Sequence, residues 1–400
     1  AGVAAYFASH ASKYDIMISE PSNPWVSGVA SLFTREWYRF VPRHLNEGGL
    51  LVQWIQLYEI NEELVGTIVN ALNESFRDFR VFLANDSDLI IVARADGAVG
   101  ALDERIFDQP GLRESLQRIG IPDLASLRQH AIGTRRTFAP LMAALSRRAN
   151  SDFHPILTLE APKARFGGLN ARGIQTLPLA DLPLLEGLGG LEPVGPSSQI
   201  EVTPFYLRTH RIADAALIAA ALAEHGTDNA LPIDASADVA LLRAYGTDCR
   251  GYAHAATIDA IQRLSARTIP YLDADELRGA WIERAWLRCK VDDADVAAML
   301  DVVNALSRRD GHAVLVAATR LLEDAKGRLP HPATDYLLRA AMLGAVMSKE
   351  YAEVAKIDDR FGGDVPPSES TFVQRVYMRA VADAASAQSP ADGDPRLRER

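Results

Sequence analysis

The first hundred residues alternate apolar runs with polar clusters, a pattern typical of strands and helices that share one core. Tyr14 to Ser19 is a short apolar run and predicts a buried strand. Pro21 and Pro24 follow it and prevent further ladder pairing, so the chain must turn there. Apolar residues recur at helical spacing between positions 29 and 45, which predicts a helix that packs back on the sheet. Pro42 predicts a kink or an early end within it.

A second strand, a second helix and a hairpin are predicted after this helix. Gly48-Gly49 is expected to end the first helix, and Leu50 to Gln56 predicts the next strand. Asn61 is placed to cap a helix with acidic residues in its first turn. The apolar stripe of that helix consists of Leu64, Val65, Ile68, Val69, Leu72 and Phe76. The runs 79–84 and 89–93 predict a hairpin.

Polar side chains collect where the first strand ends. Glu20, Ser22, Asn23 and Trp25 are expected to project from its carboxyl end, which is the rim where ligands bind in open α/β sheets. The neighbouring strand adds candidate substrate contacts at its own end. These candidates are Gln53, Gln56 and Tyr58. Gln53 and Gln56 leave the strand on opposite faces, so at most one of the two can point toward the rim.

The chain divides into four parts by composition. Residues 1–166 contain the strands, followed after position 100 by short helices and loops. Residues 167–205 are rich in glycine and proline and form a linker or a wrapped connector. Residues 206–386 are helical throughout, with Tyr206, Trp281 and Trp286 expected in the core. Two segments, Tyr336 to Gly344 and Glu350 to Ala355, resemble a tetratricopeptide-type helix pair. Residues 387–400 are polar and expected to be disordered.

Charge and cysteine content narrow the function classes. The formal net charge of −10 argues against nucleic acid, which requires a basic face. Cys249 and Cys289 are too few for a disulfide framework and lack metal-ligand spacing, which favours a reducing, cytoplasmic setting and no metal site. No apolar run is long enough to span a bilayer. Any membrane segment of a longer protein would place this part on the cytoplasmic side of the membrane.

Several segments together resemble the polyamine (spermidine) synthase domain. They are Tyr14–Pro24, Leu32–Tyr38, Gly48–Gln53, Asn150–Pro155 and Ala161–Phe166. The sequence Ser-Glu-Pro-Ser-Asn-Pro-Trp at 19–25 is similar to the bacterial branch of that family, whose members are often fused to membrane segments. The resemblance covers roughly residues 1–166 and is most specific between 14 and 53.

The resemblance implies an α/β fold followed by an all-α part. The α/β part would be a partial Rossmann-like sheet of the methyltransferase type. Members of the family begin with a strand and a glycine-rich turn that cradles the adenosyl group. No Gly-x-Gly-x-x-Gly precedes Tyr14, and the position of the family's adenine-contacting Asp falls near Gly2. We therefore expect a chain truncated at its N-terminus that lacks the cofactor half.

The activity that the resemblance implies is transfer of an aminopropyl group from decarboxylated S-adenosylmethionine to a small-molecule amine. The amine, with a pKa of about 10, must lose a proton before it can attack. Glu20 occupies the first carboxylate position of the family and Asn23 the second. An amide cannot act as a base, so Asn23 would orient the amine with Trp25 while Glu20 accepts the proton. Without the donor half, this chain alone is expected to show little turnover.

Three alternatives stay open. Glu20 and Asn23 could simply cap the turn and the next helix. Asn23-Pro24-Trp25 is also similar to the strand-end motif of amino-methyltransferases, which use S-adenosylmethionine, although only one proline follows Asn23 here. Finally, the helical part could be the working part, as an interaction module for a protein partner, with the sheet as a degenerate transferase scaffold.

Overall fold

Five strands form one mixed sheet in the computed structural model, which describes residues 12–191, 196–223 and 231–388. The strands are β1 (Tyr14–Ser19), β2 (Leu45–Gln56), β3 (Asp78–Leu83), β4 (Asp88–Arg94) and β5 (Ala131–Thr134). Their order is β1-β2-β4-β3-β5, in which β1 and β2 are parallel and every other pair is antiparallel.

Helices cover one face of the sheet and then continue to the end of the described chain. They are α1 (Arg35–Phe40), α2 (Glu62–Asn73), α3 (Leu112–Gln117), α4 (Leu124–Arg128), α5 (Arg135–Leu145), α6 (Ile156–Phe166), α7 (Arg172–Gln175), α8 (Leu184–Gly187), α9 (Leu207–Ala223), α10 (Ile233–Asp248), α11 (His254–Thr268), α12 (Ala294–Ser307), α13 (Gly311–Asp324), α14 (His331–Met347), α15 (Tyr351–Phe361) and α16 (Glu369–Gln388). The expected order, an α/β part followed by an all-α part, is confirmed.

The two faces of the sheet differ in burial. Residues that share the inner face, such as Leu51, Val81 and Ile91, are completely buried in one core with α2 and α5. On the outer face, Ile16 pairs with Leu50 and Ile18 with Val52. Ile16 is 57% exposed and Ile18 is 70% exposed. The inner face therefore supplies the core, and the outer face of β1 lies open.

The predicted first helix is broken into three short pieces. Residues Val29–Phe33 form a 3₁₀ turn, α1 follows, and Val41–His44 form another 3₁₀ turn with Pro42 in its first turn. The early end at Pro42 is confirmed. The prediction that Gly48-Gly49 ends this helix is wrong, because both glycines lie inside β2. They form a bulge there, since Tyr14 pairs with Leu45 whereas Ile16 pairs with Leu50.

The next predicted elements are confirmed. The Asn61 side chain accepts a hydrogen bond from the Leu64 amide and caps α2. All six residues of the predicted stripe are buried. The hairpin forms as β3 and β4, and β4 inserts between β2 and β3. Sequence analysis missed β5, whose four residues are too few to show alternation.

The segment predicted as a linker packs against the rest of the molecule. Leucines between positions 177 and 188 are buried in the core, in and around the 3₁₀ turn Leu177–Leu179 and α8. They are Leu177, Leu182, Leu184, Leu185 and Leu188. Residues 167–191 are therefore a connector wrapped on the surface of the core. The Gly/Pro-rich stretch 192–195 lies outside the described residues.

The helical part is confirmed with one correction. Tyr206, Trp281 and Trp286 are buried as predicted, and α13, α14 and α15 each pack against the next helix in sequence. Within the part predicted to be helical, residues 277–289 contain one π-type turn, Arg278–Ile282, followed by irregular chain. α16 runs to Gln388, so the predicted disordered tail from 387 begins with helix. The rest of that tail lies outside the described residues.

The cysteine expectation is corrected. Cys249 and Cys289 form a disulfide that joins the end of α10 to the segment before α12, with Cα atoms 5.8 Å apart. Their separation of 40 residues gave no sign of this pairing, because only the packing of α10 brings the two together. The argument for a reducing compartment loses its basis. None of the helices in the described ranges has the length and hydropathy needed to cross a bilayer.

Candidate functional site at the strand ends

The carboxyl ends of β1 and β2 meet at one edge of the sheet because the two strands are parallel. We call residues 20–25, which follow β1, and residues 58–59, which follow β2, the strand-end corner. Asn23 accepts a backbone hydrogen bond from Val26 at 2.9 Å, which closes a turn after the two prolines. Glu20 and Ser22 are exposed, Asn23 and Trp25 are half-buried, and Tyr58 is exposed.

One cation connects the two halves of the corner. The guanidinium carbon of Arg165, on α6, lies 5.1 Å from the centre of the Trp25 ring. Its Nε lies 3.5 Å from Oε2 of Glu59. Glu59 has a positive φ of 54°, and its amide donates to the Asn170 side chain. An aromatic face and a carboxylate around one positive charge form an environment that suits an ammonium group equally well.

Asn150 fixes the chain behind the corner. Its side-chain amide donates to the carbonyl oxygens of Ala30 and Phe33, and its Oδ1 accepts from the Leu157 amide at 3.1 Å. Its own carbonyl accepts from the amide of Arg35. Asn150 therefore ties the 3₁₀ turn after the corner and the start of α1 to the start of α6, which carries Arg165. The carbonyl of the neighbouring His154 accepts hydrogen bonds from the amides of Ser151 and Ile156 in a turn.

Glu36 makes the same connection through its carboxylate. The carboxylate accepts from the Ser151 hydroxyl at 3.2 Å and from the Asp152 amide at 2.9 Å. Burial alone would raise the pKa of Glu36, but these hydrogen bonds lower it overall. A charged Glu36 thus holds the Asn150–Pro155 motif against α1.

The two glutamines of β2 are buried away from solvent. Gln53 lies on the inner face, where its Oε1 accepts from the Tyr38 hydroxyl and its Nε2 donates to the Ser19 carbonyl at 3.1 Å. It therefore joins β1, β2 and α1, and it is not exposed to a ligand. Gln56 is also fully buried, on the outer face, and neither polar atom of its amide has a hydrogen-bond partner among the described residues.

The corner presents polar and aromatic groups at an open surface. Four cavities in the described residues lie elsewhere, and none of the four is lined by Glu20 or Asn23. Within the described ranges, no three His, Cys, Asp or Glu side chains are placed to share a metal ion. A surface with carboxylates at Glu20 and Glu59 and rings at Trp25 and Tyr58 suits a flexible cationic ligand.

Comparison with known proteins adds no family assignment. No family model matches the chain, and no curated protein matches it at a significant level.

Sequence reasoning missed Arg165 and gave Glu59 little weight. Glu59 follows Tyr58 at a strand end, which was a usable signal, but its position depends on a backbone conformation that the sequence does not show. Arg165 lies within a segment that resembles the polyamine synthases, yet nothing in its spacing places it over Trp25. The long-range packing of α6 brings it there.

Proposed function

We propose that the strand-end corner binds a polyamine or a similar aliphatic amine, as the acceptor side of a spermidine-synthase-like transferase domain. The observation that supports this proposal is the arrangement of Trp25 and Glu59 around the Arg165 cation. In the bound form, a ligand ammonium would take the place of the guanidinium. A second ammonium of the same ligand would meet Glu20, which lies on the same edge of the sheet.

The segments that carry the family resemblance converge on this region. Gln53 bonds to Tyr38 and to Ser19, Asn150 binds the chain around α1, and Arg165 reaches Trp25. Segments far apart in sequence thus support one surface. Such convergence is what a shared ligand site requires, and it favours the transferase resemblance over an accidental likeness of short motifs.

The described residues lack the glycine-rich turn that would hold the donor of the reaction. No glycine-rich turn follows a strand in the described residues, so they do not fit the adenosyl group of decarboxylated or ordinary S-adenosylmethionine. We therefore derive no transfer step. For a protein that supplies the donor side, Glu20 is the proposed proton acceptor for the amine, and Asn23 is proposed to orient it.

Isothermal titration of the whole chain with spermidine tests the proposal. We expect saturable binding that weakens about tenfold in Glu20→Gln and in Glu59→Gln, since each removes one charge-assisted contact. Glu104→Gln is the matched control, because Glu104 is exposed and lies in a separate turn. Absence of binding, or equal binding by all three variants, would contradict the proposal.

A second candidate function rests on the helical part. A groove of about 510 Å³ lies between α13 and α15, and Val316, which lines it, is 52% exposed. Charged side chains of both signs surround this valine, including Arg320, Glu323 and Lys356. Such a groove suits a peptide with an apolar residue between charges.

Displayed peptides selected on the whole chain test this second candidate. Binding of the selected peptides should be lost in Val316→Asp and retained in Val202→Asp, a control at a similarly exposed valine outside the groove. Peptides that bind both variants equally would exclude the groove as the binding site.

A further inference from the structure

A cavity of about 170 Å³ lies behind the outer face of the sheet, between β3, β5, the connector and the start of α9. It has room for several water molecules or a small organic molecule. Its apolar wall consists of leucines at positions 102, 177, 182, 184, 185 and 191. Its polar groups include the side chains of Arg80, Arg128, Gln129 and Arg208.

Arg208 is a buried cation without a carboxylate partner. Arg208 is only 6% exposed, and it is in none of the ion pairs found among the described residues. Its Nη1 donates weakly to the Gln129 carbonyl at 3.5 Å, and its Nε is buried with no hydrogen-bond partner. Leaving a buried charge uncompensated is costly, so a counter-charge is expected beside it.

Other arginines at low exposure show how this chain usually satisfies such charges. Arg339 is 2% exposed and pairs with Asp181 and Asp335. Arg309 pairs with Glu186 at 2.9 Å, and Nε of Arg375 donates to Asp358 at 2.8 Å. Arg208 departs from this pattern, and the space beside it is a cavity.

Two further side chains point to a ligand in that cavity. Arg80 on β3 lines it, and Arg80 is in none of the ion pairs found among the described residues. Gln129, which is 1% exposed, also lines it, and its Oε1 has no hydrogen-bond partner. The carboxylate that reaches the cavity, Glu186, already binds Arg309. The cations Arg208 and Arg80 are therefore the groups that an anionic ligand would satisfy, whereas the Gln129 Oε1 is an acceptor and would not bind it.

We propose that this cavity binds a small aliphatic carboxylate. The carboxylate pairs with Arg208 and Arg80, since guanidinium groups bind carboxylates through parallel hydrogen bonds. The aliphatic part lies against the leucines. The leucine wall favours an organic anion over inorganic phosphate, which has no apolar surface to bury.

Thermal unfolding and isothermal titration of the whole chain, with hexanoate as the probe, test the proposal. Hexanoate should bind and raise the melting temperature, because a ligand that binds the folded state stabilises it. Hexanol and inorganic phosphate, which each lack one half of the proposed ligand, should have much smaller effects. Arg208→Met should weaken hexanoate binding at least about tenfold, and Arg80→Gln should weaken it as well.

Arg211→Met is the matched control, because Arg211 lies on the same helix and is exposed. It should leave hexanoate binding unchanged. Failure of hexanoate to bind the unmodified chain would overturn the proposal. So would equal binding of hexanol, tighter binding of phosphate, or unchanged hexanoate binding in folded Arg208→Met and Arg80→Gln. Spermidine binding at the strand-end corner is a separate measurement, so the two proposals fail independently.

Discussion

Single side chains decide what the strand-end corner can bind. Trp25 and Glu59 come from loops after different strands, and both contact Arg165. The sequence could place Glu20, Asn23 and Trp25 after the first strand, because the prolines mark where that strand ends. It could not show that Gln53 turns inward to Tyr38, since the face that a strand residue occupies depends on which side the helices cover.

Removal of Arg165 should expose the corner to its ligand. In Arg165→Gln, the Trp25 ring and the Glu59 carboxylate no longer contact the Arg165 guanidinium. An added amine then binds to both groups without having to displace that guanidinium. An exposed cation–π contact contributes about 0.5–1 kcal/mol, so spermidine affinity should rise by roughly two- to fivefold. Titration calorimetry measures this change, with Lys163→Gln on the same helix as the control. Weaker binding in Arg165→Gln would mean that Arg165 itself holds the ligand.

His130 should make stability depend on pH. It is buried, its Nδ1 donates to the Leu83 carbonyl at 2.6 Å, and its ring stacks on Tyr206 at 4.4 Å. Burial, together with the nearby charge of Arg208, lowers the pKa of His130. The hydrogen bond to Leu83 and the nearby charge of Asp86 act in the opposite direction, and the net effect is a lowered pKa. Below about pH 6.5, His130 is therefore protonated in the unfolded chain but still neutral in the folded chain. The free energy of unfolding falls as the pH drops, until the pH is below the pKa of His130 in the folded chain.

Urea unfolding between about pH 5 and pH 7.5 checks this dependence. In His130→Asn, which can retain a donor to Leu83, the free energy of unfolding should fall less as the pH drops. The difference in slope should reach at most about 1.4 kcal/mol per pH unit, the value for one proton. Parallel pH profiles for the two proteins would show that His130 titrates alike in both states.

At the scale of elements, the two faces of β1 differ in burial. Met17 and Ser19 face the core, whereas Ile16 and Ile18 are exposed on the outer face. Among the described residues β1 pairs with β2 alone, so its outer edge offers unpaired backbone groups. The apolar run Tyr14 to Ser19 predicted β1, but the prediction of a buried strand is wrong for its outer face. Periodicity predicted α2 well because α2 has one continuous apolar face. It failed for β5, which is short, and for Gly48-Gly49, whose bulge depends on pairing with β1.

Substitutions on the two faces of β1 should separate stability from self-association. The double variant Ile16→Thr with Ile18→Thr should change the free energy of unfolding little, because both side chains are already exposed, and should reduce aggregation. Met17→Ala on the opposite face should cost about 2–5 kcal/mol. Urea unfolding and light scattering measure the two effects. Equal destabilisation by both changes would contradict the assignment of the faces.

At the scale of the whole molecule, a mixed sheet and a long succession of helices are joined by the wrapped connector. Composition predicted this layout, because the strand-rich and helix-rich parts differ in pattern. It did not decide between a linker and a wrapped connector, since the leucines of this segment lack a regular period and are placed by the surfaces on both sides. The disulfide was not predicted either, because the pairing of its two cysteines depends on how α10 packs.

Reduction of the disulfide should destabilise the helical part. Closing a loop of 40 residues removes unfolded-state entropy worth about 4 kcal/mol in the chain-entropy model. Cys249→Ser with Cys289→Ser should therefore lower the free energy of unfolding by about 2–4 kcal/mol relative to the oxidised protein. Added reductant should destabilise the unmodified chain and leave the double variant unchanged. A thiol assay that finds two free cysteines in the native protein would contradict the bridge.

Nuclear Overhauser measurements between spermidine and the ring protons of Trp25 test the corner assignment most directly. The Trp25 signals are identified by their loss in Trp25→Phe. We predict cross-peaks from the methylene protons of spermidine to the Trp25 ring, and weaker cross-peaks at the same spermidine concentration when Glu59 is changed to Gln. Spermidine that binds without contacting Trp25, or that does not bind at all, would contradict the account.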